Sequence, residues 1–134
     1  MNQINQPFTL PCGVTILNRI VKSAMSENNA DKGGKPSDRI IRLYETWGKG
    51  GAGILISGNV MMDSKALGEA HNVVVEDEKY LTELTQWAMA TQENGTHLWM
   101  QINHPGRQSP VYLNKAPVSA SNVKMSMRIY LEPR

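Results

Sequence analysis

The sequence predicts an α/β protein with a parallel sheet, and three observations lead there. Three apolar runs, centred on Ile20-Val21, on Ile54-Leu55-Ile56 and on Leu98 to Ile102, each break abruptly into polar or small residues. Buried strands look this way when they deliver side chains to a mouth where chemistry happens. Between successive runs, apolar residues recur at three- and four-residue intervals, the period of a helix buried on one face. Strand, helix, strand, helix, strand with right-handed crossovers makes a parallel sheet covered by helices.

Phe8-Thr9-Leu10 and Val14-Thr15-Ile16 flank Pro11-Cys12-Gly13 and form a short β-hairpin whose turn is marked by Pro and Gly. Ile20 and Val21 belong to the first buried strand. Residues 27 to 36, rich in Asn, Asp, Gly and Lys, form a loop. Pro36-Ser37-Asp38 then opens a helix: the Ser37 hydroxyl can cap it, and Asp38 suits the positive end of its dipole. Ile40, Leu43, Tyr44 and Trp47 share its buried face, and the four glycines from Gly48 to Gly53 end it. Ile54 to Ile56 is the second strand.

A long loop follows from Asn59 to about Asp77, docked to the body through Val73-Val74-Val75. Glu76 or Asp77 starts a second helix with Leu81, Leu84, Trp87 and Ala88 inward, and Asn94-Gly95 closes it. The third strand runs from His97 to Ile102. Trp47, Trp87 and Trp99 are expected in the core. Residues 103 to 134 show no periodicity and are expected to be irregular.

The 134 residues fit one domain with no internal boundary. A formal charge of +2, with scattered Lys and Arg, gives no case for nucleic acid or an anionic membrane as partner. No apolar run approaches the roughly twenty residues of a membrane span, and no signal-peptide pattern is present. The single cysteine, Cys12, excludes an internal disulfide and fits a reducing cytoplasm, so a soluble cytoplasmic protein is expected. His71 and His97 have no partner at ligand spacing, and no metal site is expected.

Two architectures take such a parallel unit, a doubly wound sheet and an eight-stranded (β/α) barrel. The first strand–helix loop carries no G-x-G-x-x-G, and Gly33-Gly34-Lys35 lacks the spacing and the Lys-Ser/Thr pair of a Walker loop. A barrel needs about 250 residues, so a chain of this length would be a piece of one.

Three segments carry a resemblance to a known family: Leu17-Asn18-Arg19-Ile20-Val21-Lys22-Ser23-Ala24-Met25, Gly50-Gly51-Ala52-Gly53-Ile54-Leu55-Ile56-Ser57-Gly58, and Gln101-Ile102-Asn103-His104-Pro105-Gly106-Arg107. In their order and spacing they resemble the Old Yellow Enzyme family of NADH:flavin oxidoreductases, FMN enzymes on a (β/α)8 TIM barrel. Essentially the whole chain aligns with the first third of such proteins, and Glu132-Pro133-Arg134 is similar to the loop before the third barrel helix.

The resemblance implies that residues 1–134 are the N-terminal part of a single FMN-binding barrel domain. It implies FMN as cofactor, NAD(P)H as reductant and a small enone-type molecule as substrate, its activated C=C bond being reduced. Backbone groups of Ala24, Met25 and Ser26 would contact the flavin edge. The Ser26 hydroxyl would donate a hydrogen bond near its reactive side, where relatives carry Thr or Cys. Gly58 would lie close under the ring, where many relatives have Ala, and the Gln101 amide would pair with the flavin pyrimidine. Without the resemblance, Gln101 reads as a polar strand end satisfied by neighbouring backbone.

His104 can be read as a general base, but in the family's His-x-Gly-Arg pattern it shapes the loop, and Arg107 orders it. Asn28 falls near where some relatives present a substrate-facing Tyr. The resemblance places the proton donor, the substrate-anchoring pair and the phosphate site beyond Arg134, so no catalytic residue is assigned here. The alternative is a truncated α/β module without catalysis, acting in binding or self-assembly. Homo-oligomer formation is left open.

Overall fold

In the computed structural model, which describes residues 3–123, the chain begins with the predicted hairpin. β1 (Phe8–Thr9) pairs antiparallel with β2 (Thr15–Ile16), and Gly13, at φ +88°, makes the turn that L side chains resist. The hairpin lies beneath the N-terminal ends of the sheet strands. Leu17 packs on Gly95, and His97 Nε2 lies 3.4 Å from the Thr15 carbonyl oxygen. Asn18 fastens this floor: its Nδ2 donates to the Gly51 carbonyl at 2.6 Å, while its Oδ1 accepts from Ile20 N and Gly53 N, each at 3.0 Å. A side chain at Gly53 would collide with the Asn18 carbonyl, so glycine is required at this approach.

β3 (Val21–Lys22) pairs parallel with β4 (Ile54–Met61), which pairs parallel along its other edge with β6 (His97–Asn103). α1 (Asp38–Lys49) and α2 (Leu81–Gln92) make the crossovers. Ser37 caps α1 as expected, its Oγ accepting from Ile40 N at 3.2 Å. Ala30, Ile40, Tyr44, Leu55, Val60, Val73 and Trp87 form the core between helices and sheet. The Tyr44 ring meets Trp47 and Trp87 edge to face, each at 5.0 Å.

Six expectations are corrected. The first strand is not buried: β3 lies at an edge of the described sheet, Val21 is 47% exposed, and Ile20, 44% exposed, precedes the strand. β4 does not stop at Ile56 but continues to Met61, because a β-bulge between Ile56 and Asn59 lets it keep pairing. Val73–Val74 does more than dock a loop: as β5 it pairs parallel with Val60 and Met61. α2 begins at Leu81 rather than at Glu76 or Asp77. Both acids are engaged elsewhere, Glu76 accepting from Ser64 N at 2.7 Å and Asp77 from Lys79 N at 2.9 Å. Leu81, in the first turn, is 56% exposed instead of inward. Trp99 is 45% exposed, since it lies on the sheet face opposite the helices.

Trp87 is core, as expected, while Trp47 is only half-buried against it. Beyond β6, residues 104–123 are irregular apart from a 3-10 turn at Gly106–Gln108. Residues 124–134, including Glu132-Pro133-Arg134, lie outside the described residues.

Trp87 anchors this core, yet its indole N–H is buried with no acceptor among the described residues. Trp87→Ala should cost about 3–5 kcal/mol in denaturant unfolding, through lost burial and a cavity. Trp87→Phe should cost only about 1–2 kcal/mol, because it keeps most of the ring contact and removes the unsatisfied donor. Equal losses for the two would place the energy in the N–H instead.

Candidate functional site

The bulge determines which side chains reach the open face of the sheet. Leu55 and Val60 both point into the helix-side core although they are five residues apart, which strict alternation forbids. One extra residue at Ser57-Gly58 restores the phase. Ser57 substitutes for the interrupted ladder: its Oγ accepts from Gln101 N at 2.9 Å and donates to the Gly58 carbonyl at 2.8 Å. Asn59 and Gln101 are therefore cross-strand partners on the face opposite the helices, in register beside Ile56–Trp99 and Met61–Asn103.

Of the predicted site residues, Gly58 and Gln101 lie in the C-terminal halves of β4 and β6, and Ala24, Met25 and Ser26 follow β3. Gln101 is exposed, and its side-chain amide bonds to no described residue. Ala24 and Met25 lie in an irregular stretch after β3 and likewise form no hydrogen bond with described residues. Ser26 is exposed, and its hydroxyl donates to Glu69. Gly58 is buried, and a Cβ there would strike the Met25 carbonyl oxygen and the Glu27 carboxylate. Glycine at 58 is thus demanded by the neighbouring chain itself, whatever else lies over it.

Several residues escaped the sequence reading. Tyr44 Oη donates to Glu27 Oε1 at 2.5 Å and accepts from Gly58 N at 3.1 Å, wiring α1 to the bulge. Lys22 Nζ donates to the Ser23 and Ile56 carbonyls at 2.9 and 3.0 Å, lies 4.0 Å from Glu27 Oε1, and sits 4.6 Å over the Trp47 ring. Burial holds the Lys22 amine below its ordinary pKa, with the Glu27 carboxylate partly offsetting it. The signal was a tyrosine on a buried helix face, whose hydroxyl must find a partner. Its spacing in sequence could not say which.

Asn28, at φ +49°, accepts from His71 N at 2.8 Å and so ties the long loop to the β3 exit. His104 Nδ1 accepts from Gly106 N at 3.1 Å, and Arg107 Nη1 donates to the Val123 carbonyl at 3.4 Å. Both contacts are with the loop that these two residues were expected to shape. Together with Gln108, Ser119 and Ser121 they line an open cleft of about 490 Å³. Among the described residues no helix is long and apolar enough to cross a membrane.

A model of the NADH:flavin oxidoreductase / NADH oxidase family matches residues 3–132. The NADH-dependent flavin oxidoreductase iliE of Hypocrea jecorina is 40% identical over 125 residues, covering 84% of this chain and 31% of that protein. The NADH oxidase of Thermoanaerobacter brockii is 34% identical over 116 residues, covering 84% of this chain and 18% of its own length. Among solved structures, the Old Yellow Enzyme homologue from Zymomonas mobilis superposes with a TM-score of 0.78 at 20% identity, over 89% of this chain and 33% of that one. The chain therefore spans at most about a third of these relatives, and its fold is the corresponding part of a (β/α)8 barrel.

Burial first, and then the bond to the Glu27 carboxylate, raises the Tyr44 phenol well above its ordinary value of 10.0. A raised folded-state value gives stability that is complete below the unfolded pKa and is lost as pH climbs past it. Unfolding free energy should therefore hold level through Tyr44 up to about pH 10 and fall above it. In Tyr44→Phe, less stable at neutral pH, that alkaline fall should shrink. A slope unchanged by the substitution would refute the assignment.

Proposed function

The chain belongs to the NADH:flavin oxidoreductase / NADH oxidase family, and on that premise we propose that its strand ends hold the FMN ring of an NAD(P)H oxidoreductase of Old Yellow Enzyme type. Residues 1–134 would be the first part of one FMN-binding barrel domain. The family and its Old Yellow Enzyme homologues use FMN with NAD(P)H as reductant. Bound FMN supplies two-electron chemistry, carrying a hydride from the nicotinamide to the activated C=C bond of a small enone-type acceptor.

The observation that carries this reading is Gln101. One amide offers a donor and an acceptor, both unclaimed by described residues, at the C-terminal end of a parallel strand on the open face. That donor set fits a ring edge presenting both N–H and C=O. The unpaired backbone of Ala24 and Met25, across β4 at the β3 exit, suits the same ring. Gly58, where Met25 and Glu27 leave no room for a side chain, would lie close under the ring, and the Ser57 hydroxyl holds Gln101 N next to it. Ser26 fits as an oxygen near the edge, with its proton already given to Glu69. A reducing cytoplasmic setting suits the lone, exposed Cys12 thiol.

Barrels of this kind bind phosphate in the loops after strands seven and eight. The 134-residue chain alone should consequently take up FMN weakly or not at all, and show no NADH oxidation above background. A purified product holding stoichiometric flavin would contradict that. In the complete protein, Gln101→Leu should weaken FMN binding about ten- to a hundredfold by equilibrium dialysis, since it leaves the ring's polar edge unsatisfied. Wild-type affinity in that variant would sink the assignment of this strand end to the flavin.

A further inference from the structure

We propose that Glu69 is a positioning residue for Ser26: its carboxylate holds the hydroxyl proton away from the flavin edge and so keeps the flavin potential low. The inference rests on the flavin reading above and extends it to the loop between β4 and β5, which carries Glu69. Glu69 Oε2 accepts the Ser26 hydroxyl and, at 3.4 Å, the Asn72 side-chain amide. Asn72 is buried, and its Oδ1 accepts from Gly68 N at 3.1 Å and Glu69 N at 2.6 Å, which fixes the carboxylate's own backbone.

The loop is clamped to the Ser26 segment from the other side as well. His71 N donates to Asn28 Oδ1, and Ala30 N donates to the His71 carbonyl at 2.9 Å. No cation pairs with Glu69 among the described residues, so its charge is met there by donors such as the Ser26 hydroxyl. A hydroxyl has one proton. Given to Glu69, it leaves Ser26 Oγ only lone pairs to offer elsewhere. A proton freed toward the ring would instead stabilise the more electron-rich, reduced state.

The test uses the complete protein, with and without FMN. In the FMN-loaded protein, Glu69→Ala should shift the reduced-to-oxidised ratio at fixed potential about tenfold toward reduced, equivalent to about 30 mV for a two-electron couple. Glu69→Gln retains an acceptor oxygen and should shift it less. In a Ser26→Ala background, Glu69→Ala should move the ratio less than about twofold, because there is no proton to redirect. Equal shifts with and without Ser26 would mean that the charge acts directly, and would overturn the proposal. So would no shift at all.

In the protein stripped of FMN, Ser26→Ala and Glu69→Ala should be non-additive by about two- to tenfold in the unfolding constant, and additivity would overturn the contact itself. Non-additivity in a protein that takes up no FMN would overturn the flavin reading and this role with it. Flavin bound at an unmoved potential would overturn the role of Glu69 alone.

Discussion

The extra residue at Ser57-Gly58 is the constraint on which the rest of the structure depends. A parallel strand without it would send Val60 to the open face and Asn59 into the helices, reversing core and site together. With it, Leu55 and Val60 both join the core that holds Tyr44 and Trp87, while Asn59 and Gln101 stay on the open side. A bulge removes ladder hydrogen bonds, and the buried Ser57 hydroxyl replaces one by bridging Gln101 N and the Gly58 carbonyl. Gly58 permits the arrangement because Met25 and Glu27 occupy the space a side chain would need.

Around that bulge runs a buried polar chain. Gly58 N donates to Tyr44, Tyr44 donates to Glu27, and Glu27 faces Lys22, whose amine returns to the Ile56 carbonyl. Each member would be costly if left alone in this setting, and each is satisfied by the next. The consequence is geometric: α1, the β3 exit and the centre of β4 are fixed to one another through directional bonds as well as through packing. The segment from Ala24 to Ser26 hangs between two such anchors, Lys22 on one side and Glu27 on the other.

Apolar exposure is concentrated away from the helix-covered core. Val21 (47% exposed) on β3 and Ile102 (68% exposed) on β6 mark the two outer strands flanking β4, and Trp99 lies on the open face. Large apolar side chains at such positions signify surfaces that other elements cover. This chain spans about a third of its (β/α)8 relatives.

The sequence by itself determined the elements that depend on local chemistry. Pro and Gly made the hairpin, Ser37 capped the first helix, and the spacing of Ile40, Tyr44 and Trp87 named the buried helix faces. Three strand ends with polar exits also made the candidate site legible, down to Gln101. Tertiary structure alone decided what depended on distant partners. Glu76 is a good helix starter, but Ser64 N, twelve residues back, took its oxygen, and the helix began at Leu81. Gly58 was readable as glycine but not as a bulge, since a bulge exists only against the register of β6. Ser26 was readable as a hydroxyl at the strand end. Where its proton goes is set by Glu69, 43 residues away in sequence, and no local pattern encodes that direction.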